Sequence, residues 1–188
     1  MKKTKINDIE LAYRDEGQGK PIVFLHAFPL NQTMWDEQIA EFSSAYRVIT
    51  FDWRGFGSSG LGSENSSMGV FADDLSALLN HLEIKNATIC GLSMGGYAAF
   101  AFYRKYTDQV NALILCDTRA TADTEENKQA RYEMAELARQ SEASSIVELI
   151  TPRLLGETTL KARPQIIERV KKMIETANPQ GIAQALIG

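Results

Sequence analysis

The sequence has few of the features that define membrane, disulfide-rich or nucleic-acid-binding proteins. Two cysteines in 188 residues are too few for a disulfide framework, and 13 glycines and five prolines are too few for a fibrous or low-complexity chain. No stretch approaches the about 20 consecutive apolar residues of a membrane span. The 20 basic and 24 acidic residues give a net charge of -4, without the basic excess that nucleic acids and anionic membranes attract.

The cysteines and the N-terminus both favour the cytoplasm. Cys90 and Cys116 each end a short apolar run, so we predict buried, reduced thiols. The start Met1-Lys2-Lys3 is followed by charged residues rather than by the apolar stretch of a signal peptide. At 44% hydrophobic residues, the chain has enough apolar material for a sizeable core.

Short apolar runs alternate with helical patterns in the first half of the chain, which indicates an α/β fold. The apolar runs are continuous, as in strands buried on both faces of a parallel sheet. The segments between them have the amphipathic spacing of helices packed on that sheet. We therefore predict a mostly parallel sheet with helices on both faces. The predicted strands are 3–6, 9–14, 21–25, 47–51, 87–90 and 112–116, and the predicted helices are 34–42, 67–82 and 94–105.

The last third of the sequence differs from the first part, because it shows helical periodicity and no convincing strand. It contains four predicted helices, at 125–140, at 144–155 with an interruption at Pro152, from Pro164 onwards, and after Asn178-Pro179. This block predicts a helical cap over the carboxyl edge of the sheet. We expect residues 1–120 to form the N-terminal part of the core and residues 121–188 to form the cap.

One five-residue motif carries most of the chemical information. Gly91-Leu92-Ser93-Met94-Gly95 is a G-x-S-x-G motif between a predicted strand and a predicted helix. A serine on such a sharp turn sits in strained backbone, and the glycines remove Cβ atoms that would clash. The helix N-terminus then directs N–H groups at a developing oxyanion. A turn that only packs a helix closely, or a phosphate-binding loop, is the alternative, although the G-x-G-x-x-G and G-x-x-x-x-G-K-[ST] patterns do not fit.

Two further motifs follow neighbouring predicted strands. His26-Ala27-Phe28-Pro29 comes after the strand 21–25, and residues 52–59, with the sequence DWRGFGSS, come after the strand 47–51. Together with the serine motif, they resemble the H-G-x-P loop and the strand-four turn of the α/β-hydrolases. Within that superfamily the chain is similar to small esterases, to 3-oxoadipate enol-lactonase-like hydrolases and to cofactor-free haloperoxidases. The resemblance covers essentially all 188 residues and implies an α/β-hydrolase fold.

The resemblance implies roles for one side chain and two backbone amides. Ser93 would be the nucleophile that forms an acyl-enzyme, and the N–H groups of Phe28 and Met94 would form the oxyanion hole. His26 would orient its loop without taking part in catalysis. Ala27 replaces the usual glycine, which would cost about 1 kcal/mol if the backbone there needed a positive φ. We expect no cofactor and, because no cluster has metal-ligand spacing, no metal.

A general base is missing where the mechanism needs one. The superfamily order is Ser, then Asp or Glu, then His, but His26 and His81 both precede Ser93. Serine without an adjacent base is a weak nucleophile, so the triad is expected to be incomplete and the activity impaired. Asp117 could be the acid, but a role at the start of the cap is the stronger interpretation. We expect a chain truncated after the cap, without the C-terminal strands of the fold.

Three functions stay open on the sequence. The first is hydrolysis of a small ester or lactone against an apolar wall of Phe28, Trp53 and Met94. The second is a non-catalytic binding or assembly module derived from a hydrolase, and the third is a perhydrolase or haloperoxidase activity of the full-length form. In each case the strand 112–116 would be an exposed apolar edge. We expect a homo-oligomer or a complementing C-terminal fragment to cover it.

Overall fold

The structure is a computed structural model that describes residues 1–63, 66–140 and 143–188. Its six-stranded sheet has the order β1-β2-β4-β3-β5-β6. The strands are β1 (Lys2–Ile6), β2 (Ile9–Glu16), β3 (Pro21–Leu25), β4 (Arg47–Phe51), β5 (Ala87–Leu92) and β6 (Val110–Cys116). The helices are α1 (Asp36–Phe42), α2 (Met68–His81), α3 (Met94–Lys105), α4 (Glu125–Gln140), α5 (Ala143–Leu154), α6 (Glu157–Ala162), α7 (Pro164–Glu175) and α8 (Pro179–Ile187).

The sheet is parallel from β4 through β3 and β5 to β6, and β1 and β2 form an antiparallel hairpin at its other side. Parallel neighbours need crossover connections, which α1, α2 and α3 supply between successive strands. The predicted α/β fold with a mostly parallel sheet is therefore confirmed. Among the described residues, no helix is long and apolar enough to cross a membrane.

Alternate residues of the central strands bury into different layers, as the two-residue period of a strand requires. In β3, Ile22 and Phe24 pack in one apolar cluster with Trp35, next to α1. Val23 and Leu25 belong to the larger cluster that includes the inner faces of α2 and α3. The sheet is thus covered on both faces, and the carboxyl ends of its parallel strands meet at one edge.

Two local expectations need correction, and one helix was not predicted. Residues 34–42 are not one helix, because a 3-10 turn at Gln32–Trp35 precedes α1. Pro152 does not interrupt its segment and lies inside α5. Burial of Ile146, Val147 and Ile150 on one face of α5 outweighs the backbone hydrogen bond that proline removes. The short helix α6 was not predicted.

Strand β6 lies at the edge of the sheet and pairs with β5 on one side. Its continuous apolar sequence is typical of a strand buried on both faces, yet the side chains of Ile114 and Leu115 are each 44% exposed. The exposed apolar edge expected from the sequence is therefore present. Cys90 is buried as predicted, whereas Cys116 is half-buried. Burial, with Cys116 as neighbour, raises the pKa of the Cys90 thiol to about 12.

A buried ion pair fixes the turn that follows β4. Arg54 donates to both carboxylate oxygens of Asp74 in α2, at 2.8 and 2.9 Å, and both side chains are 1% exposed. Asp8, in the turn between β1 and β2, accepts from Arg54 at 3.0 Å. Hydrogen bonds from Ser63 and the Arg54 charge outweigh desolvation and hold the pKa of Asp8 far below its usual range. The network ties the hairpin, the turn and α2 together.

Candidate active site

Ser93 occupies the junction between β5 and α3, in strained backbone. Its φ of 52° and ψ of -112° lie in a region that a residue with a side chain rarely adopts. Such outliers cost about 1–3 kcal/mol and persist only where the surroundings enforce them. The predicted strand–turn–helix context of the G-x-S-x-G motif is therefore what the structure contains.

The glycines of the motif allow three pieces of backbone to meet at Ser93. A Cβ at Gly91 would collide with the carbonyl oxygen of Gly95 in the first turn of α3. A Cβ at Gly95 would collide with the carbonyl of Leu25, the last residue of β3. Because neither clash can be relieved by turning a side chain, both glycines are required for the close approach of α3 to the sheet.

Hydrogen bonds from the next strand hold the Ser93 backbone in place. The Ser93 N–H donates to the carbonyl oxygen of Cys116 at 3.0 Å, and the Thr118 hydroxyl donates to the Ser93 carbonyl at 2.9 Å. The half-buried Ser93 hydroxyl makes no hydrogen bond with any residue that the structure describes. The backbone is therefore fixed while the side-chain oxygen stays available.

A tight loop after β3 presents the second predicted amide. Ala27 donates its N–H to the Met34 sulfur at 3.4 Å, and its carbonyl accepts from Leu30 at 2.9 Å. The N–H groups of Phe28 and Met94 donate to no acceptor within residues 1–63, 66–140 and 143–188. Ala27 is not among the non-glycine residues with positive φ, so the expected strain of replacing glycine there does not arise.

A cavity of about 440 Å³ brings the predicted site residues together. Phe28, Ser93 and Met94 line it from the core, one side of α4 lines it from above the sheet, and the end of α8 contributes residues 185–187. Trp53 was expected in this wall. It is instead fully buried and stacks on Phe71 with ring centroids 4.6 Å apart, so it belongs to the core.

Neither histidine is available to Ser93. The His26 Nε2 accepts the Trp53 N–H at 3.0 Å, and Nδ1 lies 3.0 Å from the Ala27 carbonyl oxygen, so both ring nitrogens are engaged. Full burial of His26 lowers its pKa, and this effect outweighs the nearby negative charge of Asp52, which would raise the pKa. The lowered pKa keeps the ring neutral. His81 ends α2 and packs its ring edge-on against Tyr13 of β2.

The two acidic residues that follow parallel strands have different surroundings. Asp52, after β4, is buried and accepts N–H groups from Gln32 at 2.8 Å and Ser58 at 2.9 Å. These bonds stabilise the turn that contains Gln32 and the turn that follows β4. Asp117, after β6, is exposed and has a φ of 39°. Within the described part of the chain, neither carboxylate hydrogen-bonds to a histidine.

The cavity also has a polar side, which was not predicted from the sequence. Lys128, Arg131 and Tyr132 line it from α4, and Asp123 lines it from the segment before that helix. Residues three and four positions apart share one face of a helix, so the spacing of the three α4 residues was a usable signal. That spacing did not indicate which face of α4 would lie toward Ser93. No group of three or more metal-ligating side chains occurs among the residues described.

Comparisons with known proteins identify relatives for most of the chain. Over 178 residues it is 30% identical to 3-oxoadipate enol-lactonase 2 of Acinetobacter baylyi, a match that covers 94% of this chain and 66% of that protein. Over 109 residues it is 39% identical to a putative non-heme chloroperoxidase of Synechocystis, covering 57% of this chain and 40% of the relative. The chain therefore spans between about two fifths and two thirds of the length of these relatives.

Solved structures agree with this assignment. A malate-bound thermophilic esterase of Thermogutta terrifontis is 44% identical, with a TM-score of 0.95, and the match covers 100% of this chain and 72% of the esterase. The enol-lactonase of Burkholderia xenovorans is 25% identical, with a TM-score of 0.91 and coverage of 99% and 72%. The sequence model of the alpha/beta hydrolase fold family matches residues 20–141. The chain belongs to the α/β-hydrolase family.

Proposed function

We propose that the chain carries the nucleophile half of a serine hydrolase that acts on small carboxylic esters or lactones. One observation carries this proposal. A strained Ser93 holds a free hydroxyl in a cavity that it shares with Phe28 and Met94, whose N–H groups have no acceptor in the described residues. Strain and unpaired donors both cost stability, so their coincidence in one cavity favours a catalytic role.

In the proposed reaction, the Ser93 Oγ attacks the carbonyl carbon of the ester and gives up its proton. The carbonyl oxygen becomes an oxyanion, which the Phe28 and Met94 N–H groups stabilise. The C–O bond to the leaving oxygen then breaks, and that oxygen takes up the proton that Ser93 gave to the base, so that the alcohol departs and acyl-Ser93 remains. Water then attacks the acyl group and gives a proton to the base, which returns it to Ser93 Oγ as the acid is released. Both attacks need a base to accept a proton.

We propose that this base and its acidic partner come from polypeptide outside the 188 residues. Support comes from the engagement of His26 in its own loop and from the position of His81 beside Tyr13. The apolar edge of β6 offers a place where further strands or a second copy could pair. A homo-oligomer and a complementing C-terminal fragment are the two arrangements that fit this edge.

We also propose that residues 121–188 act as a cap on a core formed by residues 1–120. The contact between α8 and the turn after β4 supports this division. Asn178 donates its N–H to the Gly55 carbonyl at 2.8 Å, and a Cβ on Gly181 would meet the Gly55 backbone at 2.7 Å. This close approach of two glycines fixes one end of the cap. Residues of α4 and α8 in the cap then line the cavity on the side away from the sheet.

Acylation with p-nitrophenyl acetate tests the role of Ser93. The p-nitrophenolate leaving group departs without an acid, so this activated ester can acylate Ser93 with solvent accepting the proton. Acyl-Ser93 should persist, because an alkyl ester is far less activated and its hydrolysis depends more strongly on the missing base. We expect Ser93 to be acetylated about 100-fold faster than an exposed serine, since an oxyanion-hole donor contributes about 10²-fold or more. Peptide mass spectrometry of timed samples measures the rates, and hydroxylamine removes the serine ester but not lysine amides.

The matched controls are Ser93→Ala and Ser44→Ala, since Ser44 follows α1 and is an exposed serine outside the cavity. The label on the peptide containing residue 93 should vanish in Ser93→Ala and persist in Ser44→Ala. Equal labelling of Ser93 and of other serines would contradict the nucleophile role. It would then favour a non-catalytic binding module.

A second candidate function uses the same acyl-enzyme. The identity to a chloroperoxidase over 109 residues, which include the serine motif region, favours attack on acyl-Ser93 by hydrogen peroxide in place of water. The product would then be a peracid. If added peroxide releases the acetyl group from Ser93 faster than buffer does, with peracid formed in equal amount, peracid formation is supported. Equal release rates would contradict it.

Met34 offers a test of the loop that presents the Phe28 amide. Met34→Leu keeps volume and apolarity but removes the sulfur that accepts the Ala27 N–H. We expect a loss of less than about 1.5 kcal/mol in unfolding free energy and a several-fold slower acetylation of Ser93. Chemical denaturation and the labelling assay measure the two effects. A labelling rate equal to that of the original chain would show that the N–H to sulfur contact does not position the loop.

A further inference from the structure

The cavity beside Ser93 has an excess of positive charge on its α4 side. Its ionisable lining residues include Lys128 and Arg131, which are basic, and Asp123, which is acidic. Tyr132 of α4 and Tyr97 of α3 also line the cavity. In a chain whose net charge is -4, this local excess of basic groups is opposite in sign to the rest of the molecule.

Asp123 does not neutralise the wall, because two guanidinium groups share it. Its carboxylate accepts from Arg131 Nε at 2.6 Å and also pairs with Arg119. Desolvation raises the pKa of Asp123, but the hydrogen bonds and charges of Arg131 and Arg119 outweigh it, so the pKa is lowered and the group stays ionised. Two cations and one anion leave one positive charge without a counterion.

The second basic residue of the wall, Lys128, has only a weakly held counterion. Lys128 pairs with the exposed Glu125 at 2.6 Å, one turn away on the same helix. Such solvent-exposed pairs are weak and dissociate easily. Lys128 therefore adds to the positive charge of this wall, whereas Arg131 is the cation that Asp123 holds in a fixed orientation at the cavity.

The geometry of Arg131 leaves its terminal nitrogens free for a ligand. Nε is the atom that binds Asp123, and neither terminal nitrogen donates a hydrogen bond to a described residue. The Arg131 side chain is 34% exposed. A guanidinium anchored through Nε and open at its end presents two parallel N–H groups, which match the two oxygens of a carboxylate.

We propose that Arg131, oriented by Asp123, binds a carboxylate of the substrate, so that the preferred substrates are esters or lactones that carry a carboxylate apart from the scissile carbonyl. The substrate part of this inference rests on the proposed function of Ser93, whereas the carboxylate site does not. The apolar residues 185–187 of α8 form another wall of the cavity and suit a short carbon chain between the two ends.

A matched pair of ligands tests the carboxylate site without any turnover. Monomethyl succinate and dimethyl succinate differ by one charge, and their binding to the Ser93→Ala chain can be measured by ligand-observed NMR. We expect the monoanion to bind about tenfold more tightly, equivalent to about 1.4 kcal/mol. This preference should shrink as salt is added, because the site is partly exposed.

Variants on one helix separate Arg131 from general attraction of anions. Arg131→Met should abolish the preference, and Arg131→Lys should keep part of it, because lysine supplies charge without the two-pronged geometry. Arg139→Met, two turns further along α4 where Arg139 pairs with Glu136, should leave it unchanged. An equal loss in Arg139→Met, or no preference in the Ser93→Ala chain, would overturn the proposal.

Acylation of the unsubstituted chain tests the substrate class. Mono-p-nitrophenyl adipate, whose carboxylate is too far from the ester to form a five-membered anhydride, should label Ser93 about tenfold faster than p-nitrophenyl hexanoate. The hexanoate has the same chain length without the carboxylate, and the expected ratio is in line with a bidentate, charge-assisted hydrogen bond. If the anion binds preferentially but neither ester labels Ser93, the carboxylate site stands and the proposed hydrolase function falls. If both esters label Ser93 equally, the function stands and the substrate class is wrong.

Discussion

Replacing Asp74 with alanine should lower the unfolding free energy by about 3–5 kcal/mol, the usual cost of removing one partner of a buried ion pair. Arg54 and Asp74 are both 1% exposed, and two hydrogen bonds join them. Without Asp74, Arg54 would keep a single bond to Asp8 at 3.0 Å and remain buried with most of its charge uncompensated. Urea denaturation followed by tryptophan fluorescence measures the change.

The neighbouring residue provides the matched control. Asp73 precedes Asp74 in α2 but points to the surface, where it pairs with Lys105. Asp73→Ala should therefore shift the urea midpoint much less than Asp74→Ala does, because exposed pairs contribute little. Similar shifts in the two variants would contradict the view that burial makes the Arg54–Asp74 pair important.

Gly95→Ala should cost about 3 kcal/mol in unfolding free energy, at the upper end of the range for overpacking. The added methyl group would collide with the Leu25 carbonyl, so α3 would have to move away from β3. That movement would also displace Met94, the first residue of α3 and the proposed oxyanion donor. We therefore expect slower acetylation of Ser93 in the fraction that stays folded.

Gly156→Ala is the corresponding control for a glycine that is not packed. Gly156 precedes α6 with a φ of -69°, and a Cβ there would have no atom within 4 Å. Its replacement should leave both the urea midpoint and the Ser93 labelling rate nearly unchanged. If Gly95→Ala were equally well tolerated, the close approach of α3 to β3 would not be a requirement of the site.

The strands and helices of the core could be predicted because their patterns are local. Continuous apolar runs such as Pro21–Leu25 and the face of α2 have few alternatives once strand and helix alternate. The expected interruption at Pro152 was wrong, because a local signal was outweighed by packing against a distant part of the chain. A proline disfavours a helix locally, and only the burial of the neighbouring apolar face shows that the helix continues.

The candidate site also contains some features that local sequence predicts and others that depend on tertiary packing. The strand-to-helix turn at Ser93 could be predicted, because such a turn needs its glycines at fixed offsets within five residues. The oxyanion roles of the Phe28 and Met94 amides rest on the resemblance to the α/β-hydrolases and stay a prediction. Trp53 was misplaced in the cavity wall, since its stacking on Phe71 depends on how α2 crosses the sheet. Sequence spacing could not supply that crossing.

The sequence by itself determined the fold class and the serine turn, because both depend on patterns of residues close together in the chain. The position of both histidines before Ser93 can likewise be read directly from the 188 residues. Only the tertiary structure decided which groups face the serine. In the folded chain, His26 hydrogen-bonds to residues of its own loop and of the turn after β4, apolar side chains of β6 are exposed, and Arg131 of α4 lines the cavity. The physical reason is that these outcomes depend on packing between segments distant in sequence, and no local pattern of residues encodes such packing.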